Sequence, residues 1–174
     1  KVIRKMETGM MPPPGKPHPK TGGTGLVLIG GPAGHYRWSD QDMADRVAAV
    51  LASSPEHRWY LVSTPQTSEE TERHLQALAA PNVFAIAHHE TDAKWVSARI
   101  QDAEQVWVSE DQLPFLYQAL TAGAAVGVLP VPSSRPSREV AALDGLAVSF
   151  AQWQAGMPLQ APQPPFNESA RCAA

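Results

Sequence analysis

The stretch that most limits what this chain can become is Leu26-Val27-Leu28-Ile29-Gly30-Gly31-Pro32-Ala33-Gly34-His35. Its continuous aliphatic run suits a strand buried on both faces, as in the middle of a parallel sheet. The glycines that follow let the backbone turn sharply and pass close to whatever lies above the strand end. Ser39 is then placed to cap a helix, with Met43, Val47, Val50 and Leu51 on one face. A strand, a glycine turn and a helix in that order form the opening of a βαβ unit.

The same alternation recurs along the chain. Strands are expected at 26–30, 58–63, 82–86, 105–109 and 126–130, with a short sixth strand at 146–148. Helices are expected after Ser39, after Ser68, over 92–102, around Phe115–Leu120 and over 137–144, with Gly123 placed to stop the fourth. The fold class is therefore α/β: a Rossmann-like three-layer domain with a mainly parallel sheet of about five or six strands. Right-handed crossovers put every strand-to-helix turn along one edge of such a sheet, and ligands bind outside the carboxyl ends of its strands.

Composition excludes several classes. A net charge of -3 offers no basic surface for nucleic acid or an anionic membrane. The single cysteine, Cys172, can build neither a disulfide framework nor a zinc site. No apolar run reaches transmembrane length and no signal-peptide pattern is visible, so the expected location is cytoplasmic. The chain opens on Lys1 rather than Met, as a fragment or processed product does, and many of its 17 prolines fall in 12–19 and 158–165. The expected organisation is a flexible linker or tail over 1–24, the Rossmann-like domain over 25–150 and an irregular tail over 151–174.

The turns at the strand ends hold the candidate site residues. Gly30, Gly31 and Gly34 suit a phosphate cradle, although a tight turn alone also requires glycine; the stretch is neither GxGxxG nor a Walker A motif. His35 and Arg37 could hold a diphosphate or move a proton, or belong to a polar loop with Trp38 packed as a staple. Ser63, Thr64 and Thr67 could offer hydroxyls to phosphate oxygens, or serve turn chemistry. Ser109, Glu110 and Asp111 end the fourth strand; the carboxylates could bind a ribose or position a proton, or complement a helix dipole. Arg135 and Arg138 could clamp an anion or be solvated. His88, His89, Glu90 and Asp92 lack HxxxH and HExxH spacing and read as a solvated loop, so no metal site is expected.

Together these turns resemble one family. Leu28 to Trp38 is similar to its LIGGPSKHYxW segment, and Ala103 to Asp111 to its ADAVWVTEDS segment. Ala119 to Pro130 resembles its EALxxGxPVGvLPL close, and Trp59 to Pro65 stands where it has a strand ending in Thr-Ser-Arg-Arg-Thr-Pro. This is the mitochondrial fission "elongated mitochondria" family, whose bacterial members are described as glycosyltransferases of GT-B architecture. The resemblance covers roughly residues 26–150. It implies that the chain is the C-terminal, donor-binding half of a two-domain fold. The partners would be a nucleotide-diphosphate sugar, as donor substrate rather than cofactor, and an N-terminal domain carrying the acceptor side.

The resemblance further implies that Gly31, Gly34 and His35 lie near the phosphates, and Ser109, Glu110, Asp111 and Gln118 near the nucleoside or sugar. Three positions depart from the family pattern. Thr64-Pro65-Gln66 replaces the paired arginines, Gln112 replaces a serine, and Gln118 replaces a glutamate that in GT-B donor sites grips the ribose. A neutral amide still hydrogen-bonds but lacks the charge-assisted strength of a carboxylate. The alternative function is a non-catalytic interaction module related to the family's division factors.

Overall fold

The computed structural model describes residues 23–34, 36–134, 138–143 and 145–161. Of the expected tail over 1–24, only Gly23 and Thr24 fall within it; His35, Arg135 and the stretch 162–174 lie outside the described residues.

The strands are β1 (Thr24–Ile29), β2 (Arg58–Ser63), β3 (Val83–Ile86), β4 (Gln105–Ser109), β5 (Ala125–Leu129) and β6 (Val148–Ser149). The helices are α1 (Asp40–Ser53), α2 (Glu69–Ala77), α3 (Ala93–Asp102), α4 (Leu113–Thr121), α5 (Arg138–Ala141) and α6 (Phe150–Gln154), with a 3₁₀ turn at His88–Glu90. The sheet has six strands in the order β3-β2-β1-β4-β5-β6. Every pairing is parallel, with Leu26 beside both Tyr60 and Val106. The α/β Rossmann-like fold and its six-stranded parallel sheet are thus as expected.

Alternation along each strand builds two cores. Leu26, Leu28, Val106 and Val108 face α3 and α4, meeting Ile100, Leu116 and Leu120. Val27, Ile29, Leu61 and Trp107 face the other way, onto Met43 and Val47 of α1, Leu75 of α2 and Phe150 of α6. Helices on both faces make three layers. The indole of Trp107 lies flat against the neighbouring strand, where a Cβ added at Gly127 would stand 2.4 Å from its ring.

Local signals act where the sequence places them. Ser39 accepts the Asp42 N–H at 3.2 Å and Ser68 accepts the Thr71 N–H at 3.1 Å, each satisfying a donor that the first helical turn leaves open. Gly123 follows the last turn of α4 with φ +79°, a left-handed conformation suited to glycine.

Several boundaries differ from expectation, each for a hydrogen-bonding reason. β1 stops at Ile29 because the Gly30 N–H leaves the ladder for the Ser109 hydroxyl. β5 stops at Leu129 because Pro130 has no N–H to continue it. β6 begins at Val148 rather than 146, since Leu146 and Ala147 direct their N–H groups back to the Leu143 carbonyl. The expected irregular tail begins with residues of α6: Ser149 and Gln152 form a reciprocal cap, and Phe150 is buried in the core.

Candidate functional site

The strand order reverses between β1 and β4, so the turns leaving them flank the crevice where an open α/β sheet binds its ligand. In this molecule the two turns are joined. The Gly30 N–H donates to Ser109 Oγ at 2.8 Å, and the Gly31 N–H donates to Asp111 Oδ2 at 3.2 Å. The glycines are needed because neighbours come so close. A Cβ at Gly30 would lie 1.9 Å from Asp111 Oδ2, and one at Gly31 would lie 1.9 Å from the Gln66 carbonyl oxygen. Gly34 turns the chain outward with φ +56° and is exposed.

The turn after β2 is stitched to the same place. Thr67 Oγ1 accepts the Thr64 N–H at 2.9 Å and reaches the Ile29 and Gly30 carbonyls at 2.9 and 2.8 Å. Gln112 closes the ring: its amide nitrogen donates to Gln66 Oε1 at 2.6 Å and approaches Asp111 Oδ2 at 3.1 Å. Gly30, Gly31, Thr64, Ser109, Asp111 and Gln112 therefore form one polar cluster over the β1 and β4 ends. Asp111 is only partly satisfied in it. Oδ1 is buried and has no hydrogen-bond partner among the described residues.

Glu110 points away from that cluster, toward β5. Its N–H donates to the Leu129 carbonyl at 2.9 Å and its Oε2 accepts the Val131 N–H at 3.1 Å. This carboxylate borders a cavity of about 330 Å³ with apolar walls from Val128, Pro130, Leu143 and Ala147, and with Ser149 on its rim. That size is at the lower end of small-ligand pockets, which run from about 300 to 1,000 Å³. α4 opens with a proline at its second position. Pro114 has no N–H to offer, and Phe115 and Leu116 direct theirs to the Gln112 carbonyl.

Two expected site residues lie elsewhere. Ser63 is buried, donates to Glu72 Oε1 at 2.8 Å and accepts the His88 N–H at 2.9 Å, so its hydroxyl joins β2 to α2 and the 3₁₀ turn. Gln118 sits on the flank of α4 and donates to Ser97 Oγ of α3 at 2.8 Å. The spacing of a helix alone could have signalled this, since Gln118 follows buried Leu116 and precedes buried Ala119 and Leu120. Thr67 and Gln112 are the residues that sequence reasoning underweighted. Among the described residues no group of three or more His, Cys, Asp and Glu side chains is arranged for a metal ion. Also among them, no helix is long and apolar enough to cross a membrane.

Comparison with known proteins adds three findings. The family profile described as "Mitochondrial fission ELM1" matches residues 16–174. No curated protein matches the chain. Among solved structures, the E. coli heptosyltransferase WaaC with ADP-2-deoxy-2-fluoro heptose has a TM-score of 0.47 at 13% identity, covering 74% of this chain and 36% of that one. The chain thus spans about a third of the length of that structure.

Proposed function

The chain belongs to the mitochondrial fission ELM1 family, and from that premise we propose that it is the C-terminal donor-binding domain of a GT-B-type glycosyltransferase. Its ligand is a nucleotide-diphosphate sugar. The diphosphate sits over Gly30, Gly31 and Gly34 with Thr64 beside it, and the family resemblance adds His35, which lies outside the described residues. The nucleoside enters the cavity bordered by Glu110 and Pro130. The acceptor and the catalytic base come from an N-terminal domain of the same protein, and the protein acts in the cytoplasm.

The observation that carries this reading is the meeting of the β1 and β4 turns at the reversal of a parallel sheet, beside a ligand-sized apolar cavity. Glycine amides supply donors suited to phosphate, and a carboxylate at the cavity edge suits sugar hydroxyls. Ser63 and Gln118 take no part, because each hydroxyl or amide is bound to a neighbouring element instead.

A thermal-shift screen of the chain with UDP, GDP, CDP, ADP and TDP tests the proposal. A ligand at a hundred times its dissociation constant adds about 2.7 kcal/mol of stability, a readable shift. One nucleotide is expected to stand out, and Gly31→Ala is expected to abolish its effect. Negligible shifts with all five, in wild type and in Asp111→Ala alike, would overturn the donor-binding role.

The second reading, a non-catalytic interaction module, has one observation on its side. The Gly30 and Gly31 amides already have acceptors within the protein, and Pro114 withholds another donor. A chain that lacks nucleotide affinity as wild type and as Asp111→Ala would favour this module.

A further inference from the structure

Resting on the donor-binding reading, we propose that the Asp111 carboxylate is an internal occupant of the glycine turn's anion place, which the diphosphate must displace in order to bind. The placement is direct. Oδ2 accepts the Gly31 N–H at 3.2 Å and lies where a Cβ of residue 30 would stand, so the carboxylate covers the face of the turn that a phosphate would approach. A carboxylate and a phosphate oxygen are alternative acceptors for the same amide, and two anions exclude one another there.

The contact is also built to open. Oδ1 is buried with no partner among the described residues, so half of the carboxylate's hydrogen-bonding capacity is unmet. An ionised oxygen left in that state is costly, and rotation toward solvent relieves it. Among the described residues, Gln112 alone reinforces the closed position, through its amide contacts to Asp111 Oδ2 and to the exposed Gln66 side chain. Glu110 is different, because both its backbone N–H and its carboxylate hold the β5 exit. Asp111 is therefore the movable member of the pair and Glu110 the anchored one.

The consequence is a tax on affinity. A site whose competent state is only fractionally populated binds with its intrinsic affinity scaled by that fraction. Removing the occupant should tighten nucleotide binding while weakening the empty fold, since the Gly31 amide loses its acceptor. A purely structural role for Asp111 predicts losses in both quantities.

The experiment is calorimetric titration of the chain with the five nucleoside diphosphates and with inorganic pyrophosphate, for wild type, Asp111→Ala and Asp111→Asn. Expected is a rise in affinity of roughly tenfold or more in Asp111→Ala, with a lower melting temperature in the absence of nucleotide. Asp111→Asn, which keeps an acceptor but loses the charge, should fall between the two. Circular dichroism checks that both variants fold; if Asp111→Ala fails, Asp111→Asn carries the test. Unchanged or weaker binding in the variants overturns the displacement model while leaving the donor-binding reading intact. No binding in any of the three proteins overturns both. Tight binding by wild type that needs Mg²⁺ and vanishes in Asp111→Ala would show the carboxylate holding a cation, and would overturn the proposal.

Discussion

Asp40 and Asp111 are both partly buried carboxylates at strand-to-helix turns on the same edge of the sheet, yet their surroundings differ. Asp40 opens α1 and takes hydrogen bonds from Thr71 and, at 2.9 Å, from Ser68. Trp38 Nε1 donates to Thr71 Oγ1 at 2.9 Å, so an indole, a hydroxyl and a carboxylate form a relay that ties α1 to α2. Burial opposes the charge, but the bonds from Thr71, Ser68 and Trp38, with nearby His74, outweigh it and hold the carboxyl below the ordinary aspartate value. Asp111 has one oxygen on the Gly31 amide and the other buried without a partner among the described residues. A carboxylate held by two hydroxyls at the start of another helix is a rivet, whereas one on a glycine turn with a buried, unpartnered oxygen can be displaced.

The largest expected effect is on the rivet. Asp40→Ala strands the Ser68 and Thr71 hydroxyls and should cost about 2 kcal/mol in urea unfolding, against under about 1 kcal/mol for Asp111→Ala. Equal costs would break the contrast.

Acid sharpens it. Because the Asp40 carboxyl is lowered in the fold, its contribution is fully present above the unfolded value of 3.8 and is lost as pH falls through the folded value. The stability gap between wild type and Asp40→Asn should therefore stay level from about pH 8 to 5 and shrink below about pH 4. A gap that grew on acidification would contradict the relay.

Trp38→Phe keeps the ring in the core beside α1 but removes the donor to Thr71. Chemical denaturation should register a loss of about 1 kcal/mol, and much less when Asp40→Ala is already present. Additive losses would mean that Trp38 acts by packing alone.

The smallest effect is local. In Asp111→Ala the Gly31 amide should exchange with solvent markedly faster while core amides of β1 keep their protection. Unchanged exchange at Gly31 would show that the bond to Asp111 does not protect it.

Much of this was readable from residue types. Parallel strands buried on both faces carry near-continuous aliphatic runs, and Leu26–Ile29, Leu61–Val62 and Val106–Val108 announce them without reference to partners. Caps are equally local: Ser39, Ser68 and Gly123 act within a few residues of themselves. What residue types did not reveal is whatever depends on a distant atom. The end of β1 was misplaced because the Gly30 amide turns to Ser109, 79 positions away. Gln118, placed near the sugar by family position, donates its amide to Ser97 on another helix.

By itself, then, the sequence determined the fold class, the run of alternating strands and helices, and the set of turns that line one edge, because hydrophobic period and capping chemistry are short-range. Only the tertiary structure decided which of those polar groups face the reversal point and which are engaged elsewhere. Hydrogen bonds between turns far apart in the chain obey geometry rather than spacing. That geometry anchors Glu110 to β5, sinks Ser63 beneath α2, and lays Asp111 against the Gly31 amide.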